Sequence, residues 1–477
     1  MSFQFVDSSN VDPAARRRIR QQAAKGRNAG RSVLRARKPA QTNADRPRPG
    51  SLLEKEAMSG WKPRHQTFSP NELMIMSIER PVTSDMATAT LPSYFGRGVD
   101  VTQRVITFFA NPLYTGKLSG INGASIGTPS MWIDLMFVDE AYYHSAMAAG
   151  LTALNNACPH PLGQEAAGRH FGMLLKLVGR KLSGAEAVSD ATMSAVVMAL
   201  QYDRYRSKYR DGIVHFAGLG EMVKLRGGLD AVAMQNSLLV HKMLRADLEF
   251  AMHLGTPTRF FSDDKFPPLD SASILTPGDG PTEPLFAGLP DWVLEDLSPV
   301  LRGVFVDMAV VSHLFNEAAA GSRPKLPSYN AHHAFLSLGQ RLIAFSPLGG
   351  RRPLEVLDDM VHVGLVCFVT MLLLGLDGRP AELPLLPKLA RMVLERQGKH
   401  PANRTLDTIL LWVLMAGEAA SAFEAKDDAV WFLDEAGRLK EALGLTTWES
   451  AREVLMALPW ILSVHDAPAR MAWQKIG

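Results

Sequence analysis

The sequence predicts an all-α protein that carries a basic N-terminal arm, and three observations lead to this prediction. From Tyr94 onward, apolar residues recur with the 3.6-residue period of an α-helix. The alternation of apolar and polar residues that is typical of a β-strand is almost absent. Residues 14–38 hold few large apolar side chains, so this segment cannot bury enough surface to fold alone, and residues 39–93 are rich in Pro, Ser, Thr and Asn, as a linker is. We therefore predict a disordered basic arm at residues 1–50, a linker at residues 51–93 and an all-helical domain at residues 94–477.

Gly and Pro residues divide the helical domain into segments and mark the breaks between its helices. Residues 255–290 form the longest break, since they contain seven prolines and four glycines. This composition predicts a loop between two helical halves. The predicted helices comprise residues 98–110, 130–150, 161–182, 189–203, 209–225, 231–254, 291–318, 329–345, 355–376, 384–396, 404–422, 427–443 and 447–463.

The length of 477 residues exceeds the size at which a single hydrophobic core usually stops growing. We expect either one large helical domain or two helical lobes that share a buried seam. The apolar run at residues 360–376 has almost the length of a membrane span. Because Asp358 and Asp359 precede it and His362 lies within it, we predict a core helix capped by the two aspartates. We expect no membrane contact.

Cysteine is rare in this chain. Neither Cys158 nor Cys367 has the spacing of a zinc ligand or of a disulfide framework. Their scarcity favours a reducing compartment, either cytosol or nucleus. The N-terminus lacks the apolar region of a secretory signal peptide. An Arg-rich mitochondrial transit peptide is an alternative, against which Asp7 and Asp12 argue.

Positive charge is concentrated in the N-terminal arm. Residues 1–50 contain twelve Lys or Arg against three Asp, a net charge of +9, and since the whole chain carries +3 the remainder sums to −6. Arginine suits phosphate groups because its planar fork donates two hydrogen bonds to paired oxygens. The positive charge of the arm therefore predicts that it binds a nuclear import receptor and contacts the DNA phosphate backbone. The alternative is a solvated basic tail with no fixed partner. The predicted binding residues are Arg16, Arg17, Arg18, Arg20, Lys25, Arg27, Arg31, Arg35, Arg37 and Lys38.

A series of segments shares its order and spacing with one known family. The segments read FQFVDSSNVDPAARRRIRQQAAKGRNAGR at the start, then YYHSAMAAGLTALNN, SDATMSAVVMAL, HFAGLGEMVKLRGGLDAV and RADLEFAMHLGTPTRF, and near the end LLWVLMAGEAASAF and WFLDEAGRLKEALGLTTWESAREVL. In this order they resemble the fungal-specific transcription factor family. A serine-aspartate helix start and an MVxLRGGL element recur in the body of that family.

The resemblance covers most of the chain and implies an all-α regulatory domain of the kind called the middle homology region. It implies a transcriptional regulator in the nucleus, whose helical body binds coregulator proteins, an effector or a second copy in a homodimer. The binuclear zinc cluster of the best-known members needs six closely spaced cysteines, and this chain has only two. Sequence-specific DNA binding by such a cluster is therefore not carried over.

Two short elements within the resemblance have structural interpretations. Ser189 followed by Asp190 predicts a helix start, with a serine N-cap and an acid in the first turn. The glycine pair Gly227 and Gly228 follows an apolar-periodic run and predicts a helix end, where glycine accepts the left-handed conformation. Basic residues in the last turn, such as Lys224, suit the helix dipole.

Two pairs of Glu and His residues lie four positions apart and would each share a helix face. These pairs are Glu140 with His144 and Glu249 with His253. Di-metal carboxylate bundles use a three-residue spacing instead. We therefore predict salt-bridged pairs at both places and no metal site.

The chain lacks the short motifs of common enzyme classes. A nucleophile elbow, a P-loop and a dinucleotide-binding glycine fingerprint are missing. His160, His332 and His333 are isolated from acids and cysteines in the sequence. We therefore expect no catalytic residue, no cofactor and no enzymatic activity. Two alternatives stay open: a helical small-molecule-binding protein or enzyme of a biosynthetic pathway, and a helical adaptor that does not bind DNA.

Overall fold

The fold is known from a computed structural model of the chain. Within the described residues it consists of 17 α-helices and one short 3-10 helix, with no β-strand, which confirms the all-α prediction. The predicted arm lies outside the described residues, as does the linker apart from Ser93. The structure describes residues 93–95, 99–110, 129–157, 163–260, 290–373, 382–397, 403–423 and 426–476.

The helices follow one another along the chain with short connections. The first eight are α1 (Val99–Ala110), α2 (Pro129–Val138), α3 (Glu140–Ala157), α4 (Gly163–Lys181), α5 (Asp190–Tyr205), α6 (Tyr209–Leu225), α7 (Leu229–Gln235) and α8 (Ser237–Leu254). The remaining nine are α9 (Asp291–Glu295), α10 (Pro299–Ala320), α11 (Ser328–Phe345), α12 (Val356–Leu372), α13 (Leu386–Gln397), α14 (Arg404–Ala419), α15 (Lys426–Ala442), α16 (Trp448–Met456) and α17 (Leu462–Trp473).

Four of the predicted helices are each divided in two by a residue that favours a helix end. Asp139 separates α2 from α3, where its carboxylate accepts the backbone N–H of Tyr142 at 2.8 Å. Asn236 ends α7 and caps α8, because its side chain accepts the backbone N–H of Leu239. Pro299 starts α10, and Pro459 lies between α16 and α17. A break of this kind needs only one capping side chain or proline, so the apolar period continues across it.

Helix α5 contributes residues to two separate apolar cores. Ala195 and Tyr202 belong to the smaller core, which α5 forms with the helices before it. Val197 and Leu200 belong to the larger core, which extends to the C-terminal helices. Almost every residue of α5 is therefore buried. The two groups of helices thus share this one helix between them.

The larger core contains residues from both sides of segment 255–290. Gly339 of α11 packs so closely on α8 that a Cβ there would overlap the side chain of Leu248. The C-terminal half is centred on α12 and α14, which pack against each other where Gly364 meets the ring of Trp412. The indole N–H of Trp412 donates to the carbonyl oxygen of Pro459 at 3.1 Å.

Helix α12 contains the apolar run that has almost the length of a membrane span. Its residues from Asp358 to Leu372 are all buried in the protein. The two aspartates bind partners outside the helix, since Asp358 accepts the backbone N–H of Ser298 and Asp359 binds Arg352 and Arg396. The predicted core helix is thus present, although its aspartates bind other segments and do not cap it. Among the described helices, none combines the length and apolar character needed to span a bilayer.

Candidate functional site

The segment from Met222 to Leu229, which reads MVKLRGGL, forms the end of α6 and the turn that follows it. The chain turns at Gly227 and Gly228, whose φ angles are +94° and +98°. The N–H of Gly228 donates to the carbonyl of Val223, and the N–H of Gly227 donates to that of Lys224. These two bonds form a Schellman motif, in which the left-handed glycine closes the helix. The predicted helix end is confirmed.

Arg226, the residue before this glycine pair, reaches the start of α5. Its guanidinium binds the carboxylate of Asp190 and donates to the carbonyl oxygen of Val188 at 3.1 Å. The amide of Asn236 donates to the other carboxylate oxygen of Asp190 at 2.9 Å. Ser189 caps α5 by accepting the N–H of Thr192, as predicted. The end of α6 and the start of α5 are therefore joined through one partly buried ion pair.

A second group of charges lies inside the protein, between α5 and α8. Glu249 is 1% exposed, and its two oxygens face Arg204 at 3.1 Å and Arg245 at 3.0 Å. Burial and the charge of Arg245 lower the pKa of the neighbouring Lys242 to about 8, while Glu249 opposes this change. Arg and Lys side chains gathered in this way are the groups that bind carboxylates and phosphates in proteins. We call Arg204, Lys242, Arg245 and Glu249 the buried charge cluster.

Asp203 and His215 form a titratable pair beside this cluster. His215 Nε2 lies 3.5 Å from the carboxylate of Asp203, which is 3% exposed. Burial, together with the negative charge of Asp211, raises the pKa of Asp203 to about 7. Burial lowers the pKa of His215. Near neutral pH this pair can therefore take up or release a proton, although the ring of Phe171 covers His215 at 5.8 Å between centroids.

The predicted salt bridge between Glu249 and His253 is replaced by other contacts. Glu249 turns toward the two arginines, whereas the ring of His253 stacks on Tyr209 with 3.5 Å between ring centroids. His253 Nδ1 lies 2.7 Å from the backbone carbonyl oxygen of Glu382, to which it can donate. His144, which was predicted to pair with Glu140, instead contacts His170, and their Nδ1 atoms are 2.8 Å apart.

His333 of α11 packs against a histidine of α8. The ring of His333 is parallel to that of His241 on α8, and their facing nitrogens are 3.1 Å apart. Tyr329 stacks on His241 with 4.2 Å between centroids. Burial and the nearby His333 lower the pKa of His241 to about 3. A neutral imidazole pair fits this packed environment.

The residues predicted to bind an import receptor or DNA all lie outside the described residues, so their role stays a prediction. Within the described part, no three His, Cys, Asp or Glu side chains are placed so that they could hold a metal ion. Cys367 is a buried free thiol whose pKa is raised by burial.

Sequence reasoning missed the buried charge cluster. Lys242, Arg245 and Glu249 follow a helical spacing of three and four, which looks like an ordinary solvated face. Arg204 lies 45 residues before Glu249 along the chain, and only the packing of α5 on α8 brings them together. The sequence did contain one indication of the cluster. In α8 these charged residues lie among apolar residues, and charged side chains in such a segment are buried more often than those on a polar helix.

In comparisons with known proteins, no family model, no curated protein and no solved structure matches this chain.

Proposed function

We propose that this protein is a transcriptional regulator of the fungal-specific transcription factor type, in which the helical body binds regulatory partners and the basic arm directs nuclear import. One observation carries the proposal: a net charge of +9 in residues 1–50, against −6 in the rest of the chain. A short cationic segment on a mildly acidic body favours an anionic partner for the segment alone. The resemblance of the helical body to that family supports the same function.

Arginine in the arm would bind acidic grooves of an import receptor and the phosphates of DNA. Binding through many arginines releases counterions, so it weakens steeply as salt is added. The arm has no aromatic residue between Ala14 and Gly60, which argues for phosphate contact and against base stacking. DNA contact would therefore be independent of sequence.

The import step is tested by fusing a fluorescent protein to the full chain and to a form that lacks residues 1–40. The full chain is expected to concentrate in the nucleus and the shortened form to spread into the cytosol. A matched control is Arg438→Gln on α15, which removes a positive charge from a side chain that is 50% exposed and should leave the full chain nuclear. Equal distribution of the full and shortened forms would refute import by the arm.

DNA contact separates the regulator from the adaptor that does not bind DNA. The full chain should be retained on a mixed-sequence duplex at low salt and released as salt rises, whereas the form lacking residues 1–40 should not be retained. If both forms bind the duplex equally weakly, the adaptor is the better description. Nuclear import and partner binding would then stand without DNA contact.

A second function is favoured by the buried charge cluster. Arg204 and Arg245 face one buried carboxylate, and burial and the charge of Arg245 lower the pKa of the partly buried Lys242 to about 8. Buried groups with shifted pKa values are more frequent at binding sites than elsewhere. We propose as the alternative that the body binds a small anionic effector at this cluster.

The effector proposal is tested by thermal unfolding of the full chain in the presence of inorganic phosphate, citrate and succinate. A ligand that binds only the folded state raises the unfolding temperature as its concentration rises. Lys242→Met should abolish this increase, and Lys224→Met, on a side chain that is 74% exposed, should not. An unfolding temperature that responds identically in both variants would exclude the cluster as the binding site.

A further inference from the structure

The exposed side of α4 and α6 contains glycines that internal packing does not explain. Glycine weakens a helix, and elsewhere in the described helices it is usually required by a close neighbour, as at Gly364 against Trp412. At other positions, a Cβ would meet no atom within 4 Å. Within the described helices these positions are Gly168, Gly172 and Gly179 of α4 and Gly218 and Gly220 of α6.

Helices α4 and α6 both pack against α5, and an aromatic contact joins them. Phe171 of α4 and His215 of α6 meet with 5.8 Å between ring centroids, and Phe171 stacks on Tyr202 of α5 at 4.2 Å. At the other end, Arg226 after α6 donates to the carbonyl of Val188, a few residues after α4. The two helices therefore run in the same direction, with aromatic rings between them.

Large apolar side chains are exposed beside these glycines. Leu175 is 47% exposed, Leu182 is 51% exposed and Val214 is 73% exposed. On a helical projection Leu175 lies on the same side of α4 as Gly168 and Gly172. Apolar residues grouped on a surface in this way mark a site of association. We call Gly168, Gly172, Leu175, Gly179, Leu182, Val214 and Gly218 the α4–α6 surface.

The edge of α4 beside this surface is basic. Arg169, Lys176 and Arg180 are spaced by seven and four residues, so they follow one line along the helix. Arg169 pairs with Glu165 at 2.8 Å while both side chains stay more than half exposed. Two antiparallel copies of α4 related by a two-fold axis would bring this basic edge against itself, which disfavours that arrangement of a second copy. An acidic partner complements it.

We propose that the α4–α6 surface binds an amphipathic helix of a partner protein. The apolar face of that helix lies over the glycines, where the missing side chains allow a short distance between helix axes. Its acidic residues lie along Arg169, Lys176 and Arg180 and set its direction. This proposal goes beyond the regulator function and applies equally to the adaptor, because it depends on the helical body alone.

The probe is a synthetic amphipathic peptide of about 18 residues, long enough to be helical when bound, with leucines on one face and glutamates along one edge. A matched peptide carries lysines in place of the glutamates. The full-length protein is expected to bind the glutamate peptide about tenfold more tightly than the lysine peptide, measured by fluorescence anisotropy. Equal affinities, or binding of neither peptide, would overturn the proposal.

Two variants locate the binding. Gly172→Leu fills the centre of the surface and should weaken binding of the glutamate peptide about tenfold or more. A Cβ at this exposed position meets no atom within 4 Å, so the variant's circular dichroism and urea unfolding should show an intact fold. The double change Lys176→Glu with Arg180→Glu should reverse the preference between the two peptides. Arg438→Glu, on a half-exposed side chain of α15, is the control and should leave both affinities unchanged.

Retention of wild-type affinity by Gly172→Leu would place the peptide elsewhere and overturn the proposal. Sedimentation of the wild-type protein tests the other occupant. If the protein is a dimer that Gly172→Leu converts to a monomer, then a second copy occupies this surface and the partner helix is excluded.

Discussion

The guanidinium of Arg226 binds the carboxylate of Asp190, and this contact joins the end of α6 to the start of α5. Arg226 is 10% exposed in its side chain, and it also donates to the carbonyl of Val188. Asp190 receives a further hydrogen bond from Asn236, which caps α8. One ion pair thus holds three helix ends in place.

Replacing Arg226 by methionine should destabilise the helical body. The change removes a charge-assisted hydrogen bond from Asp190 and another from the carbonyl of Val188, so a loss of about 2 kcal/mol in the free energy of unfolding is expected. Urea unfolding followed by circular dichroism measures it. Lys224→Met, two residues earlier on an exposed turn, should cost less than about 0.5 kcal/mol. Similar losses in the two variants would show that the contacts of Arg226 do not stabilise the fold more than those of an exposed lysine.

Replacing Glu249 by glutamine should have a larger effect. The neutral side chain leaves Arg204 and Arg245 without the carboxylate that both face, inside a region where Glu249 is 1% exposed. Removal of one partner from a buried ion pair costs about 3–5 kcal/mol. Glu435→Gln, which breaks an exposed pair with Arg438, should change the unfolding free energy by less than about 1 kcal/mol. Equal midpoints in urea for these two variants would contradict the structural role of the cluster.

Replacing Asp203 by asparagine should change how stability depends on pH. Since burial raises the pKa of Asp203 from 3.8 to about 7, the folded protein holds a proton in this window that the unfolded chain has released. The free energy of unfolding of the wild type should therefore fall, relative to the variant, by up to about 1.4 kcal/mol for each pH unit between these values.

The measurement is urea unfolding of both proteins at several pH values from 4 to 8 (roughly the window set by the two pKa values). Histidines far from Asp203, such as His241, whose pKa burial lowers, contribute the opposite slope to both proteins, so only the difference between the two proteins reports Asp203. Asp434→Asn, on an exposed position of α15, should keep the wild-type pH dependence. A constant difference between wild type and Asp203→Asn across this range would contradict the raised pKa.

Replacing helical glycines by alanine should give opposite results at two positions. At Gly364 the new methyl group would overlap the ring of Trp412, which is fully buried, so a loss of about 2–3 kcal/mol is expected from overpacking. At Gly179 the methyl group meets no described atom, and better helix propensity should add up to about 1 kcal/mol. Thermal unfolding of both variants measures these changes. A gain at Gly364, or a loss at Gly179, would be inconsistent with the packing described here.

Most of the helices could be predicted from the sequence, because an apolar stripe every 3.6 residues is a local property. The interval predicted for α6, residues 209–225, matches the observed helix at both ends. The helix breaks at Asp139 and Asn236 were not predicted. A single side chain that caps a helix does not disturb the apolar period, so the pattern predicted one continuous helix at each place. The same holds for the helix that follows Pro459.

Partners across the fold were beyond what the sequence could predict. The spacing of Glu249 and His253 suggested a pair on one helix, but the carboxylate binds Arg204 of α5, and His253 stacks on Tyr209. A local spacing shows only which side chains are able to meet. In a densely packed interior the neighbouring helices decide which contacts form, because a buried charge needs the partner that compensates its loss of water.

The sequence by itself determined the helical class, the helix end at Gly227, the N-cap at Ser189 and the concentration of positive charge before residue 50. Each of these follows from propensity, capping or composition within a few residues. The tertiary structure alone decided that Arg226 would meet Asp190, that charges would gather around Glu249 and that the glycines of α4 would remain exposed. These relationships depend on how helices pack, and packing is set by the whole core at once.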